Sequence, residues 1–212
     1  MISVENFFPI LYQQQLLKIV KARRFNWNYR PKLDLNKFSH LKKFFDNDDN
    51  IINQEGFSHT FFKKDKASCK TIINKKNLLD LFINYTEKNF NVKVNDPLRL
   101  TCMFALPDSR ILDKNYLLPH IDYFTPHHTL IYYVNTVDGD TVIFDDKANI
   151  NQNFGHLEYE QLLEMLDNFD TKIVKERITP VQGKAILFDG LHFHSGNIPK
   201  TSERFVINFN FT

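Results

Sequence analysis

The pattern of hydrophobic and polar positions divides the chain into a helical first part and a strand-rich second part. Apolar residues recur at helical spacing after Pro9 and again in residues 75–90. From Leu98 onwards, short runs rich in β-forming residues replace this periodicity. The pattern predicts two N-terminal helices followed by a β-rich region.

The pattern also predicts the bounds of these elements. The first helix is expected to begin near Asn6 with Pro9 in its first turn, and the second to cover residues 75–90. Residues 23–58 lack periodicity and are expected to be irregular. Strands are predicted at residues 98–105, 129–135, 140–145, 172–178, 184–189 and 204–211, with one more helix at Leu157 to Phe169. Helices first and strands later are typical of an α+β fold, in which a β-sandwich or jelly-roll barrel packs against helices.

Length and composition fit a single folded domain. The 212 residues are 42% hydrophobic and include 21 Phe, 6 Gly and 8 Pro, which is a globular composition. We expect residues 1–95 to form helical support and loops, and residues 96–212 to form a jelly-roll core. Cys69 and Cys102 are too few for a disulfide framework and are expected to be reduced.

The sequence predicts neither export nor membrane insertion. The N-terminus lacks the regions of a signal peptide, and no apolar run approaches the roughly 18 residues of a membrane span. We therefore expect a cytoplasmic protein, in the host cytoplasm if the Asn-, Lys-, Ile- and Phe-rich composition reflects a viral genome. The net charge of +2 combines +8 in residues 1–100 with −6 in residues 101–212. A basic half favours an acidic partner such as nucleic acid, but surface solubility also explains the scattered lysines.

Two segments carry candidate metal ligands. His120 and Asp122 form an HxD triplet, and side chains two residues apart in an extended segment point to the same face. Residues 183–190 have the pattern of a turn, a buried strand and a second turn, which leads to His192 and His194. Either histidine could complete a set of two histidines and one carboxylate. Such a set leaves metal positions open and suits non-haem iron(II), whereas a structural zinc site needs a fourth protein ligand.

The last predicted strand, residues 204–211, alternates between polar and apolar positions. One face carries Arg204, Val206, Asn208 and Asn210, and the other carries phenylalanine and isoleucine. Polar groups on the inner face of a half-buried strand indicate a wet cavity that holds a ligand. There Arg204 could bind a carboxylate through two parallel hydrogen bonds. The alternative is an exposed arginine on an edge strand.

A series of short motifs connects these features. In chain order they are His120-Ile121-Asp122, Thr129-Leu130-Ile131-Tyr132-Tyr133-Val134-Asn135, Gly139-Asp140-Thr141, Gly183 to Gly190, His194-Ser195-Gly196 and Arg204. In this order and spacing they resemble the prolyl-4-hydroxylase-like branch of the 2-oxoglutarate/iron(II)-dependent oxygenases, of the small type found in phages and microbes. The similarity covers somewhat under half of the chain.

The resemblance implies a double-stranded β-helix (jelly roll) with iron at its open end. It implies that His120, Asp122 and His194 are the metal ligands. His194 is preferred to His192 because Ser-Gly follows it, as in the family. His127 and a neighbouring histidine, just past the HxD triplet, are expected to lie in a solvated loop.

The resemblance also implies how the cosubstrate is held. Arg204 matches the arginine that pairs with the distal carboxylate of 2-oxoglutarate, and Tyr133 matches the tyrosine that hydrogen-bonds the cosubstrate. Thr129 lies on the same inward face as Tyr133 and is a further candidate. Tyr116, just before the HxD triplet, is another.

The implied activity is that of a dioxygenase that uses iron(II), 2-oxoglutarate and dioxygen to hydroxylate a C–H bond, with ascorbate as a candidate reductant. The expected substrate is a protein or peptide of the prolyl type, or a small molecule, selected by loops within residues 25–75 and 106–118. One alternative is an oxygenase or demethylase of nucleic-acid bases, with Phe25, Trp27 and Tyr29 stacking on bases. A non-catalytic jelly-roll binding module and a cupin-type metalloenzyme that does not use 2-oxoglutarate are the others.

Overall fold

The computed structural model describes residues 1–37, 39–64, 75–148 and 173–212. The described helices are α1 (Ile10–Val20), α2 (Lys42–Asn47) and α3 (Lys75–Phe90), with a 3₁₀ turn at Ser39–Leu41. The described strands are β1 (Ile2–Val4), β2 (Asn28–Arg30), β3 (Ile51–Ile52), β4 (Gly56–Lys63), β5 (Pro97–Ala105), β6 (Tyr116–Leu117), β7 (His128–Tyr133), β8 (Thr141–Lys147), β9 (Val174–Ile178), β10 (Ala185–Asp189), β11 (His192–Gly196) and β12 (Arg204–Phe211). No described helix has the length and hydropathy needed to cross a membrane. The helix predicted at Leu157 to Phe169, and Cys69, lie outside the described residues.

Three predictions about the first half of the chain were wrong. Helix α1 begins at Ile10 rather than near Asn6, because Asn6 has a positive φ of 53° and Pro9 is extended. Residues 23–58 are not irregular, since they contain β2, α2, β3 and the start of β4. Residues 1–95 are not only helices and loops, since they supply β1, β2 and β4 to the main sheet. Strands β1, β2 and β3 have only two or three residues each, which is too short to produce a periodic signal.

The main sheet has seven strands in the order β1-β10-β7-β12-β5-β4-β2, and every pairing is antiparallel. A second sheet has the order β11-β8-β9. The two sheets share a buried cluster in which Ile131, Ile186 and Val206 of the main sheet join Ile143 and Ile178 of the second sheet. This arrangement of a sheet pair with N-terminal helices confirms the α+β jelly-roll prediction.

Helices α1 and α3 cover the outer face of the main sheet. The apolar face of β12, including Ile207 and Phe209, packs there with Phe7, Phe8 and Phe82. The Phe8 and Phe82 rings meet edge-to-face at 5.1 Å. Burying each phenylalanine stabilises the fold by roughly 1.5–3 kcal/mol, so this aromatic layer fixes the main sheet against the helices.

Strand β12 is buried on both faces, not half-buried as its alternation predicted. Its apolar face meets the helical layer, and its polar face is covered by the second sheet and by the segment that contains the HxD triplet. Buried polar side chains need hydrogen-bond partners. The buried polar side chains of Arg204, Asn208 and Asn210 therefore mark a candidate functional site.

Candidate active site

The three predicted metal ligands come together at one end of the space between the sheets. His120 and Asp122 lie in the segment between β6 and β7, and His194 lies in β11. The backbone N–H of each histidine donates to the carbonyl oxygen of the other, at 3.0 Å in both directions. This bridge brings one ligand atom from each of the three residues within 4.8 Å of the others.

The two histidines are oriented as metal ligands. Nδ1 of His120 lies 3.2 Å from the carbonyl oxygen of Leu118, and Nδ1 of His194 lies 3.1 Å from that of His192. Because a carbonyl oxygen only accepts, Nδ1 of each ring is the nitrogen that donates, and Nε2 is the nitrogen left to bind a metal. Nε2 of His194 is buried and has no hydrogen-bond partner among the described residues.

The Asp122 carboxylate is buried and closely surrounded by donors. Its side chain is 4% exposed. Oδ2 accepts a hydrogen bond of 2.9 Å from each of the Asn208 and Asn210 amides, and Oδ1 pairs with the Arg99 guanidinium. Burial alone would raise the pKa of Asp122, but its close contact with His194 and the charge of Arg99 lower it well below its usual range. The carboxylate is therefore held ionised.

These features fit a metal ion. Nε2 of His194 lies 3.4 Å from Oδ2 of Asp122, and the orphaned imidazole nitrogen and the ionised carboxylate face each other with the His120 ring alongside. Two imidazoles and one carboxylate with open positions are the donor set that suits non-haem iron(II). His192 is not in this group, since of the described residues only His120, Asp122 and His194 bring their ligand atoms close together. Nδ1 of His192 lies 3.2 Å from the Phe144 carbonyl oxygen.

A cavity of about 300 Å³ connects the histidines to Arg204. His120 and His194 line one part of it, and Arg204 and Thr141 line another. Apolar side chains of Ile131, Met103, Val206 and Leu118 form much of the wall between them. Such a wall strengthens electrostatic interactions within the cavity, because it excludes water.

Arg204 is a buried cation that forms no ion pair with a carboxylate among the described residues, and Asp140 is the acidic group that acts on it from a longer distance. It is 8% exposed, and its NH2 group donates to the Thr141 hydroxyl at 3.0 Å. Its Nε has no partner in the part of the chain that the structure describes. Gly196 lies against the guanidinium, because a Cβ there would be 3.4 Å from its NH1 atom. A buried charge without a counterion is costly, so this end of the cavity is suited to an anionic ligand.

The other predicted cosubstrate contacts differ in position. Tyr133 is fully buried on the same face of β7 as Ile131, close to Thr141 and Arg204, and it does not line the cavity. Burial raises the pKa of Tyr133 to about 12, so it remains a neutral donor. Thr129 does not line the cavity, and its hydroxyl instead accepts a hydrogen bond of 3.1 Å from Asn210.

Tyr116 is not brought to the cavity. Its hydroxyl donates to Asp48 at 2.6 Å, and its ring packs edge-to-face on Phe144 at 5.1 Å. The Tyr116 ring packs instead in an apolar cluster with Ile121 and Phe144. Tyr116 therefore does not line the cavity that holds His120 and His194.

The histidines that follow the triplet also depart from expectation. His127 is buried rather than solvated, with Nδ1 at 2.7 Å from the Thr125 carbonyl oxygen. Gly190 packs directly on its ring, because a Cβ at that glycine would lie 2.1 Å from Nε2 of His127. His128, the neighbouring histidine, is exposed as expected, but it is the first residue of β7 and does not lie in a loop.

Arg99 is a functional candidate that the sequence analysis missed. It lies in β5 and pairs with the ligand Asp122, and its side chain is 27% exposed. The available signal was a charged residue between Leu98 and Leu100 in a strand that is otherwise apolar. Without knowledge of which strand is the neighbour of β12, that signal does not point to a metal ligand.

The aromatic residues considered for base stacking serve mainly in packing. Phe25 and Trp27 are partly buried against the core, and the Trp27 ring lies 5.2 Å from that of Phe104. Tyr29 is exposed, and its hydroxyl donates to Glu55 at 2.7 Å. This arrangement provides no continuous stacking surface among these three side chains.

Comparisons with known proteins bear on the fold. No protein-family model matches the sequence, and no curated protein matches it significantly. An oxidoreductase of the 2OG-Fe(II) oxygenase family from Burkholderia pseudomallei aligns with a TM-score of 0.60 at 10% identity, over 99% of this chain and 84% of that chain. The non-haem alpha-ketoglutarate-dependent carbocyclase SnoK of nogalamycin biosynthesis aligns with a TM-score of 0.51 at 9% identity, over 93% and 83%.

A prolyl-4-hydroxylase from Pseudomonas putida also matches, with a TM-score of 0.41 at 10% identity over 94% of this chain and 98% of that chain. At these identities the likeness is one of architecture. The chain has the double-stranded β-helix fold of the 2-oxoglutarate/iron(II)-dependent oxygenases.

Proposed function

We propose that this protein is an iron(II)- and 2-oxoglutarate-dependent dioxygenase. One observation carries the proposal: a single cavity is lined by the two histidines of a two-histidine, one-carboxylate group and by a buried arginine that no described carboxylate neutralises. The cosubstrate chelates a metal at one end and presents a carboxylate at the other. The cavity offers a partner for each end.

Each of these residues would bind either the metal or the cosubstrate. His120, Asp122 and His194 would hold iron(II). Arg204, oriented by Thr141, would bind the distal carboxylate of 2-oxoglutarate. When bound, the metal and the cosubstrate supply the oxidative chemistry, in which dioxygen converts 2-oxoglutarate to succinate and carbon dioxide and hydroxylates a substrate C–H bond.

Tyr133 lies behind the cavity lining, close to Arg204 and Thr141. Its neutral hydroxyl would be a donor for the cosubstrate beside Arg204. The apolar walls formed by Ile131 and Val206 would keep bulk water from the reacting groups. Binding, orientation and exclusion of water are thus the tasks of the protein itself.

The substrate we propose is a protein or peptide side chain of the prolyl type, or a small molecule. About 300 Å³ is near the lower limit of ligand pockets, so only one side chain or a small group fits beside the cosubstrate. The cavity is also lined by Arg30, Pro31, Leu33 and residues 52–57, which fall within residues 25–75, the segment expected to select the substrate. We also propose that residues 1–212 form a single oxygenase domain, since β1, β2 and β4 complete the sheet of the second half.

The test is an anaerobic titration of the protein with iron(II) and then 2-oxoglutarate. The expected result is the weak visible charge-transfer band of the chelated complex. In Arg204→Ala the band should require a much higher 2-oxoglutarate concentration, whereas Arg24→Ala, at an exposed arginine, should behave as wild type. Iron binding without a band would favour a cupin-type metalloenzyme, and failure to bind iron would favour a binding module.

A further inference from the structure

A closed ring of hydrogen bonds surrounds the carboxylate of the proposed metal ligand Asp122. The Arg99 guanidinium pairs with Oδ1 of Asp122 through NH2 and donates from Nε to Oδ1 of Asn210 at 3.2 Å. The Asn210 amide closes the ring by donating to Oδ2 of Asp122 at 2.9 Å. Its Nδ2 also donates to the Thr129 hydroxyl at 3.1 Å.

The ring fixes the orientation of each member. The Asn210 amide cannot be flipped, because a flip would place its oxygen against a carboxylate and its NH2 group against a guanidinium. Asn210 is fully buried, so an amide with all its groups satisfied in one orientation is rigid. The Tyr123 ring supports Arg99 from the side, with the guanidinium carbon 5.5 Å from the ring centre. Arg99 is therefore tied to both oxygens of Asp122, directly at Oδ1 and through Asn210 at Oδ2.

The two oxygens of Asp122 consequently have different surroundings. Oδ2 faces His194, whose Nε2 lies 3.4 Å away, whereas Oδ1 faces Arg99 on the other side. A carboxylate can bind a metal through one oxygen or through both. Oδ1 is held by a guanidinium, whereas Oδ2, which accepts from the Asn208 and Asn210 amides, is the oxygen on the side of His194.

We propose that Arg99 is a positioning residue that keeps Asp122 a one-oxygen metal ligand and thereby leaves an iron position open for dioxygen. This proposal rests on the proposed function. Two imidazoles and one carboxylate oxygen would leave metal positions open, and these would be available to 2-oxoglutarate and dioxygen. If Asp122 bound through both oxygens, 2-oxoglutarate would fill the site and dioxygen would have no position.

The charge of Arg99 should weaken metal binding, whereas its positioning of Asp122 should strengthen it. The direction in which metal affinity changes when Arg99 is removed therefore tests the proposal. The positive charge of Arg99 repels a metal cation and weakens the negative charge of Asp122. If Arg99 only neutralises Asp122 until a metal arrives, its removal should tighten metal binding. If Arg99 positions the ligand, its removal should loosen metal binding by about 10- to 100-fold, the range typical of groups that orient metal ligands.

The experiment compares wild type with Arg99→Met, Arg99→Lys and Asn210→Ala, with Arg24→Met as the control at an exposed arginine. Anaerobic iron(II) dissociation constants are measured first, without 2-oxoglutarate. Nitric oxide is then added to the iron-saturated and 2-oxoglutarate-saturated protein. It stands in for dioxygen and gives a characteristic electron paramagnetic resonance signal when it binds iron(II).

We expect Arg99→Met to raise the iron(II) dissociation constant about 10- to 100-fold and to reduce the nitric oxide signal at saturation. Arg99→Lys should restore part of both, because it keeps the charge beside Oδ1 but loses the donor to Asn210. Asn210→Ala should weaken iron binding in the same direction, and it carries the test if Arg99→Met does not fold. Melting temperatures of the metal-free proteins identify that case.

Wild-type affinity, or tighter binding, in a folded Arg99→Met protein would overturn the proposal, as would an unchanged nitric oxide signal. Failure of the proposed function is separate from these outcomes. It would appear in the wild type, as a lack of iron binding or of the 2-oxoglutarate band. The iron affinities of the variants decide the role of Arg99 even if 2-oxoglutarate does not bind.

Discussion

Replacing Arg204 with methionine should separate binding from stability. Met approximates the apolar stem of arginine and removes a buried charge that no described carboxylate neutralises. Exchanging buried charges for apolar groups of similar volume often stabilises a protein by about 1–4 kcal/mol. The change also leaves the Thr141 hydroxyl without its 3.0 Å partner, which costs about 1 kcal/mol. We therefore expect a net change of about 0 to 3 kcal/mol in favour of the metal-free variant.

In Arg204→Met the melting temperature should stay the same or rise, whereas the affinity for 2-oxoglutarate should fall. For a domain of this size, 1 kcal/mol corresponds to about 2–4 °C in melting temperature, so Arg204→Met should melt at or above the temperature of the wild type. Its affinity for 2-oxoglutarate should fall by about 2–5 kcal/mol, the cost of removing one member of a buried ion pair. This is roughly 30- to 5000-fold in the dissociation constant.

Differential scanning calorimetry of the metal-free proteins and titration of the charge-transfer band measure the two quantities. A melting temperature several degrees below wild type would refute the reasoning, because Arg204 would then be a structural residue that supports Thr141. An unchanged affinity for 2-oxoglutarate would show that the distal carboxylate binds elsewhere.

The remaining predictions compare paired residues. His194→Gln should abolish measurable iron(II) binding in a calorimetric titration. The iron(II) affinity of His192→Gln should remain within a few-fold of the wild-type value, because His192 lies outside the metal group and contacts a backbone carbonyl. Equal losses of affinity in the two variants would contradict the choice of His194. Tyr133→Phe should weaken 2-oxoglutarate binding, because it removes a buried donor beside the cavity, by roughly 5- to 10-fold for a single hydrogen bond. Tyr116→Phe should leave the affinity for 2-oxoglutarate unchanged and lower the melting temperature, since the Tyr116 hydroxyl donates to Asp48. A lower affinity for 2-oxoglutarate with an unchanged melting temperature would instead support Tyr116 as a cosubstrate contact.

Elements with a long regular pattern could be predicted from the sequence. Helix α3 and strand β12 lie within one residue of their predicted bounds, because each repeats its apolar spacing over several turns or pleats. Helix α1 was placed too early because Asn6 and Pro9 are typical of helix starts. Here Asn6 occupies a left-handed turn before the extended Pro9.

Some features of the candidate site follow from local sequence spacing, and others depend on contacts between distant segments. The spacing of His120 and Asp122 is local, so their shared face follows from the geometry of an extended chain. The exclusion of Tyr116 does not follow from spacing, since its partner Asp48 comes from the distant α2–β3 connection. The burial of His127 against Gly190 likewise depends on a contact between two loops.

The sequence by itself determined the ligand types, the alternation of β12 and the identity of Arg204 as a cation on its polar face, because these depend on residue chemistry and on the repeat of a strand. Only the tertiary structure decided that this face is buried, and that Arg99 of β5 is tied to Asp122 through Asn210 of β12. Strand order and register bring these residues together. Both depend on how distant segments pack, a cooperative property that no local pattern encodes.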